Sequence, residues 1–383
     1  MAVKDPLQIP FLLVLIFLLI GYRGSLPARA QPDNRAFENR LSLDSTRRLD
    51  VQVDMLGFVK NNEYFNSHQD GYTLWGTQLS PAFVYRISPA ILLKGGVFWR
   101  NDFGETSRPV LQPLLTFKLS HSNWNFLFGT LEGNLSHRLP EPLYNFERGL
   151  TSPIENGLQI NYVSPASFFD FWISYPQNTL PGYVRQEHFW GGLSAQIPLV
   201  KYTAWEFLVL PHVTVFHAGG QGIRTNLPVR TTTQGAIGFR CRRFFSSPLF
   251  SSLDLEPYLL GNLDGTTTHR NGQAFYINSS LKTRWVDLML SYWNGTRYRS
   301  DYGGDLFISD SRRLNSPSFW QPHRNWLMLR FSKTVELGGG LSLTARLEPT
   351  LDLQTRKIEH SEGIYLHYTL KENLLKEQKN LQN

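Results

Sequence analysis

The tripeptide His121-Ser122-Asn123 places an imidazole, a hydroxyl and an amide next to one another in the sequence. These are side chains that an ester hydrolase uses as base, nucleophile and orienting group. A nucleophile and its base must face each other, whereas residues that are adjacent in a short turn do not. Catalysis at this turn is therefore a minor alternative.

Three further histidines, His188, His212 and His217, lie on or beside two consecutive predicted strands. Their spacing matches no zinc motif, and the chain contains neither a CxxC pair nor a phosphate-binding loop. Histidines without motif spacing are more often hydrogen-bonded polar residues than ligands. We therefore predict no metal site and no cofactor.

The charged residues that could act on a solute belong to segments of alternating polarity. In Leu341–Asp352, LSLTARLEPTLD, every second residue starting from Leu341 is apolar, and the residues between them are polar or charged. Because a β-strand sends successive side chains to opposite faces, this stretch predicts a strand with one apolar face and one polar face. Its length suits a tilted pass through a bilayer, which needs about 9–11 residues.

Segments of this kind recur between residues 49 and 371, and the connections between them alternate between short and long. Short turns at one rim and long loops at the other are typical of outer-membrane barrels. A propeller would instead need a repeat of about 40–50 residues, which we do not find. The sequence therefore predicts an all-β protein, a transmembrane antiparallel up-and-down β-barrel of about 16 strands with short periplasmic turns and long extracellular loops.

The N-terminal residues predict export. Lys4 supplies a positive charge, Phe11–Ile20 is an unbroken apolar run, and Ala28-Arg29-Ala30 has the form of a cleavage site. This is the layout of a secretory signal peptide, with an uncleaved anchor as the alternative. The predicted divisions are a signal peptide at 1–30, an N-terminal lead-in at 31–48, the barrel at 49–371 and a polar C-terminal tail at 372–383.

Composition excludes several classes of protein. A single cysteine, Cys241, excludes an internal disulfide framework. The net charge of +7 comes from basic residues that are scattered rather than clustered, so the sequence shows no basic patch that would indicate nucleic-acid binding. No linker or low-complexity stretch divides the chain, which favours one large closed sheet.

The signal peptide, the alternating strands, the 14% of aromatic residues and the strand number together resemble the bacterial porin-like outer-membrane barrels. The resemblance is architectural and involves no residue motif. It implies a location in the bacterial outer membrane. It also implies that the third long loop, Leu131–Glu155, folds inward and narrows the pore, with Arg138, Glu141, Glu147 and Arg148 near the constriction. An ordinary surface loop is the alternative.

Charged residues of the polar parity are expected to face the lumen, because an Arg or Lys facing lipid near mid-membrane costs about 2–4 kcal/mol. Charges of both signs tune selectivity in wide channels. The residues are Asp54, Arg86, Lys94, Arg100, Lys118, Asp170, Glu206, Arg240, Arg242, Asp254, Glu256, Asp287, Arg330, Arg346 and Glu348.

These patterns lead us to expect a channel, not an enzyme, that passes small hydrophilic solutes or ions. Its expected partners are outer-membrane lipid and the solutes or ions themselves, with no nucleic acid, and a homo-oligomer is left open. Three alternatives stand beside it. They are a plugged lumen with paired charges, a barrel for polysaccharide export or assembly, and a barrel lipid hydrolase with catalytic residues on its outer wall.

Overall fold

The computed structural model describes residues 34–38, 40–41, 48–106, 108–180, 182–220, 226–265, 271–311, 313 and 319–374. The predicted signal peptide lies outside the described residues, as do most of the predicted lead-in and most of the predicted tail. Within the described ranges, no helix is long and apolar enough to cross a membrane.

In this part of the chain, sixteen antiparallel strands form one closed barrel, so the predicted fold class is confirmed. Each strand pairs with its sequence neighbours, and β1 closes the barrel by pairing with β16. The strands are β1 (Arg48–Glu63), β2 (Tyr72–Ser88), β3 (Ile91–Asp102), β4 (Val110–His121), β5 (Trp124–Thr130), β6 (Asn156–Val163), β7 (Phe168–Gln177), β8 (Glu187–Lys201), β9 (Trp205–Gly219), β10 (Arg230–Phe244), β11 (Phe250–Asp264), β12 (Gly272–Thr283), β13 (Asp287–Thr296), β14 (His323–Gly338), β15 (Leu341–Asp352) and β16 (Ile358–Asn373).

Alternation along each strand decides which side chains the wall buries. In β15, Arg346, Glu348 and Thr350 are buried inside the barrel, whereas Leu347 and Leu351 lie on the other face. Large apolar side chains remain exposed on the outside of the wall, where lipid replaces water. Closure of the sheet leaves no free edge, so the backbone polar groups of the wall can be satisfied within it.

The strands extend further toward the long loops than alternation predicts. The apolar pattern predicts that the first strand ends at Val59, but β1 continues to Glu63. Asn61 and Asn62 still pair with both β2 and β16, because a polar side chain interrupts the apolar pattern without ending the backbone ladder. This polar extension, at the rim with the long loops, is the extracellular rim of the wall.

Two long connections fill the lumen. Residues 131–155, between β5 and β6, fold inside with a 3-10 turn at Asn134–His137 and one helical turn at Arg148–Thr151. Residues 297–311, which follow β13, pack against them, and the Asn145 amide donates to the Tyr302 carbonyl at 2.7 Å. We call these two segments the plug. The plug gives the barrel a packed interior in place of a wide open passage.

Candidate functional site on the outer wall

The charges predicted to face the lumen lie inside the barrel, and most of them are paired there. The contacts are Arg86 with Asp50, Arg100 with Asp102, Lys118 with Glu132, Arg240 with Glu256, Arg242 with Asp254 and Glu206, Arg330 with Glu348 and Glu141, Arg346 with Asn34, Asp54 with Gln52 and Thr369, Asp170 with His137, and Asp287 with the Thr283 amide. Lys94 differs from them, because no described residue accepts a hydrogen bond from its ammonium.

The four charges predicted for a pore constriction are part of the plug. Glu38 pairs with Arg138 at 2.9 Å, Arg330 with Glu141 at 2.7 Å, Lys60 with Glu147 at 2.6 Å, and the Tyr302 ring lies 3.8 Å from the Arg148 guanidinium carbon. These contacts tie the loop to the residues before β1, to the barrel wall and to the second plug segment.

A filled lumen has an electrical consequence. We expect the purified protein to give no stepwise ion current in planar bilayers, because packed side chains and ion pairs occupy the passage. The measurement is single-channel recording, with a wide trimeric porin as the positive control. Regular conductance steps from the intact protein would contradict the packed interior.

One buried imidazole in the plug is held by two carboxylates. His137 Nδ1 lies 2.7 Å from Asp170 Oδ2, and His137 Nε2 lies 2.9 Å from Glu155 Oε2. The ring stacks on Trp172 at 3.7 Å between centroids. Burial lowers the pKa of His137, but the two carboxylates outweigh burial and raise the pKa to about 9. The group is therefore a charged clamp that fixes the plug to β7.

This clamp makes stability depend on pH. The folded pKa of His137 lies above its unfolded value, so its stabilisation is complete below about pH 6.5 and is lost as pH rises through about 9. The contribution is on the order of 3 kcal/mol. Equilibrium unfolding should show that the free energy of unfolding of the wild type falls between about pH 7 and 10. The His137→Gln variant should have a lower free energy of unfolding at neutral pH, and that free energy should change less with pH. A wild-type profile that is flat over this interval would contradict the clamp.

The histidines that the sequence singles out do not form a site. His121-Ser122-Asn123 spans the short periplasmic turn between β4 and β5, far from the outer leaflet. His212 is buried in the lumen, where Nδ1 lies 3.0 Å from Ser194 Oγ, whereas His217 is on the opposite face of the same strand. No group of three or more His, Cys, Asp or Glu in the described ranges is placed to hold a metal.

A different set of polar residues lies together on the outward face of the extracellular rim. Asn61 and Glu63 come from β1, Thr73 from β2, and His360 and Glu362 from β16. Asn61 is the register partner of both Thr73 and Glu362, and Glu63 is the partner of His360. These five residues, which we call the rim cluster, meet only because β1 closes the barrel against β16.

Hydrogen bonds connect the rim cluster across three strands. Thr73 Oγ1 donates to Asn61 Oδ1 at 2.8 Å. Asn61 Nδ2 donates to Glu362 Oε1 at 2.9 Å and to Glu63 Oε1 at 3.0 Å. The amide therefore fixes both carboxylates at once.

The second oxygen of Glu362 faces an imidazole. His360 Nε2 lies 3.5 Å from Glu362 Oε2, a buried oxygen that accepts no hydrogen bond from the described residues. The side chains of His360 and Glu362 are 33% and 22% exposed, so both can be reached from outside. An imidazole beside a fixed carboxylate, with its other nitrogen open, can act as a general base.

The rim cluster lies directly above an aromatic belt. Trp75 follows Thr73 on the same face of β2, and its ring lies 6.2 Å from that of Phe103. Both rings are more than half exposed. Aromatic girdles mark the interface between hydrocarbon and headgroups in barrels of this kind. The cluster therefore lies at the depth where acyl chains join a lipid headgroup.

Two other imidazoles also face outward at this rim. His217 Nδ1 lies 2.8 Å from Thr231 Oγ1, and His323 Nδ1 lies 2.8 Å from Thr296 Oγ1. No carboxylate of the described residues lies within 4.0 Å of either ring, in contrast to His360. They are therefore matched controls at the same depth, with a hydroxyl contact but without an orienting carboxylate.

The fold is that of an outer-membrane β-barrel, and the rim cluster places an imidazole beside a carboxylate on its lipid-facing wall. The family model described as lipid A 3'-O-deacylase-type matches residues 41–377. The chain therefore belongs to the lipid A 3'-O-deacylase-type family. No curated protein matches the chain significantly.

Solved structures show the same architecture at low sequence identity. A loop L8 deletion mutant of OmpT, an outer membrane protein of Vibrio cholerae, is 10% identical over 85% of this chain and 100% of that chain, with a TM-score of 0.51. In-vitro folded OmpT of Vibrio cholerae is 9% identical over 84% and 97%, with a TM-score of 0.50. OpdK of Pseudomonas aeruginosa is 9% identical over 85% and 99%, with a TM-score of 0.48. At such identities the likeness shows the fold alone.

Two expectations from the sequence are wrong. The family match identifies a hydrolase family, so the expected channel for solutes or ions is overturned, and so is the expectation that the chain is not an enzyme. The resemblance to porins holds for the barrel and not for the activity. The outer-membrane location is confirmed.

Proposed function

We propose that the rim cluster hydrolyses an ester-linked acyl chain of lipid A at the outer surface of the membrane. The observation that carries the proposal is the contact of His360 with Glu362 on the lipid-facing side of the extracellular rim. Lipid A lies in the outer leaflet, so an enzyme acting on its esters must present its catalytic groups on the outer wall. The family match supports lipid A as substrate and the 3'-ester as the bond that is cleaved.

Water is the nucleophile that the geometry favours. Thr73 and His360 lie on strands separated by β1, so their backbones are about 10 Å apart. The Thr73 hydroxyl also donates its hydrogen bond to Asn61 Oδ1. A hydroxyl that far from the base cannot be activated by it, whereas a water at the open nitrogen of His360 can.

In the proposed reaction, His360 Nδ1 takes a proton from water while the water oxygen bonds to the ester carbonyl carbon. Glu362 Oε2, 3.5 Å from Nε2 in the resting protein, stabilises the imidazolium that forms and then accepts its Nε2–H. The tetrahedral intermediate then breaks its bond to the sugar oxygen. His360 returns the proton to that leaving oxygen, so the products are a fatty acid and a free sugar hydroxyl.

Asn61 is a positioning residue in this scheme. Its amide holds Glu362, which in turn orients His360, so Asn61→Ala should lower kcat about 10–100-fold with little change in KM. The control is Asn325→Ala, which removes an outward amide from the same rim on β14. The measurement is fatty acid release from lipid A in mixed micelles. If kcat falls equally in Asn61→Ala and Asn325→Ala, the role of Asn61 is purely structural.

A further inference from the structure

A cavity of 360 Å³ lies inside the barrel between the plug and the wall formed by β1 to β4 and β16. One end has polar walls, with Lys94, Lys371 and Thr369 in the periplasmic half of the barrel. The other end has apolar walls, with Phe98, Leu114 and Ile154. We call this cavity the chamber. Its two ends therefore differ in the chemistry they present.

Lys94 is the unusual residue of the chamber. Its side chain is more than nine-tenths buried, and no described residue accepts a hydrogen bond from its Nζ or lies within ion-pair distance of it. Its Nζ faces the space of the chamber, where an ammonium without a protein partner favours an anion, whereas lysines inside a protein are normally paired. Lys118, the next lysine along the chain, shows the normal case, with Nζ 2.6 Å from Glu132 and 2.7 Å from the Leu41 carbonyl.

The carboxylates that share the chamber with Lys94 already have partners. Asp54 accepts hydrogen bonds from Gln52 at 2.6 Å and from Thr369 at 3.0 Å. Glu132 is bonded to Lys118. Lys371, also on the wall of the chamber, adds a second positive charge. Because the partners of Asp54 are uncharged, its carboxylate balances one of the two ammonium groups, and the polar end keeps one positive charge for an anionic ligand.

The apolar end adjoins a notch in the barrel wall. β5 and β6 have 7 and 8 residues, which makes them the shortest of the strands described. As a result, β4 pairs with β5 only between Thr116 and His121. Val110 and Gln112, on the inward parity of β4, are therefore exposed. Leu114, at the same unpaired part of β4, is a wall residue of the chamber.

We propose that the chamber binds a long-chain fatty acid, with its carboxylate on Lys94 and its acyl chain directed toward the notch. Lys94 and Phe98 are separated by about 13 Å along β3, which suits an extended chain of about ten carbons or more. A released fatty acid is the product that the proposed hydrolysis would generate, but the binding itself is independent of catalysis.

The test is displacement of a dansyl-labelled undecanoate from the full-length protein in lipid nanodiscs, with empty nanodiscs to subtract partitioning. Dodecanoate should displace the probe from the wild type. Lys94→Met should raise the Kd of dodecanoate about 10–100-fold, since a buried charge-assisted hydrogen bond is lost. The affinity for dodecanol, which has no carboxylate, should stay the same.

Two further variants fix the location. Ser80→Trp places a large ring in the chamber and should abolish binding of both dodecanoate and dodecanol. Lys201→Met, at the exposed periplasmic end of β8, should leave both affinities unchanged. Heat-modifiable gel mobility shows whether each variant forms a folded barrel.

Unchanged dodecanoate affinity in Lys94→Met, or no displacement from the wild type, would overturn the proposal. Neither measurement involves turnover, so either result leaves the proposed ester hydrolysis untouched. Conversely, His360→Gln should keep wild-type affinity for dodecanoate even if it hydrolyses no ester. A loss of binding in that variant would contradict a chamber separate from the rim cluster.

Discussion

Replacement of His360 by Gln should lower the rate of lipid A deacylation about 100–10,000-fold, with a small change in KM. Gln keeps the approximate size of the side chain and its polarity but cannot take a proton from water. In the proposed mechanism that proton transfer occurs at the open nitrogen of His360. Glu362→Gln should cause a smaller loss, because the base remains but its orientation and charge stabilisation are weakened.

The barrel provides controls for this prediction at the same depth in the membrane. His217→Gln and His323→Gln remove outward imidazoles that lie 2.8 Å from a threonine hydroxyl. Both variants should retain wild-type rates, since neither ring has a carboxylate of the described residues within 4.0 Å. A loss in these variants as large as that in His360→Gln would mean that the rim needs its histidines for folding or lipid contact and not for proton transfer.

Replacement of Arg330 by Met should destabilise the barrel by about 3–5 kcal/mol. Arg330 is 3% exposed and bridges two carboxylates, Glu141 of the plug at 2.7 Å and Glu348 of β15. Removing the guanidinium leaves Glu141 buried without its cation and leaves Glu348 with only Arg346, at 3.9 Å. The loss is large because an unpaired buried charge costs much more than a surface pair contributes.

Denaturant unfolding of the purified barrel measures this effect. Arg313→Met is the matched control, because the ion pair of Arg313 with Asp70 at 2.9 Å is about one-third exposed. Loss of this pair should lower the free energy of unfolding by about 1 kcal/mol or less. Adding Glu141→Gln to Arg330→Met should restore part of the lost stability, since Glu141 then carries no charge without a cation, whereas Glu348 still has Arg346 at 3.9 Å. Equal destabilisation by Arg330→Met and Arg313→Met would refute the bridge.

The sequence predicts the wall well because alternation is a local property. Leu341–Asp352 is recognisable as a strand from its own twelve residues, and β15 has these bounds. The inward orientation of Arg346 and Glu348 follows from the same parity. Their partners do not follow, because Arg330 and Asn34 come from other parts of the chain.

The rim cluster could not be found in this way. Asn61 and Glu362 are hydrogen-bonded although they are 301 residues apart in sequence, and only closure of the barrel brings them together. Their polar side chains also interrupt the apolar alternation, so they appear in the sequence as loop residues. The sequence signal that could have identified them is that, at one end of β1, β2 and β16, polar residues occupy the alternate positions that face outward.

The most direct test of the account is mass spectrometry of lipid A after incubation with the purified wild-type protein and with His360→Gln. The wild type is expected to remove one ester-linked acyl chain, from the 3'-position, and to release it as a fatty acid, whereas His360→Gln should leave lipid A intact over the same time. Lipid A that keeps all its chains with the folded wild type, or that loses the same chain equally fast with His360→Gln, would contradict the assignment of catalysis to the rim cluster.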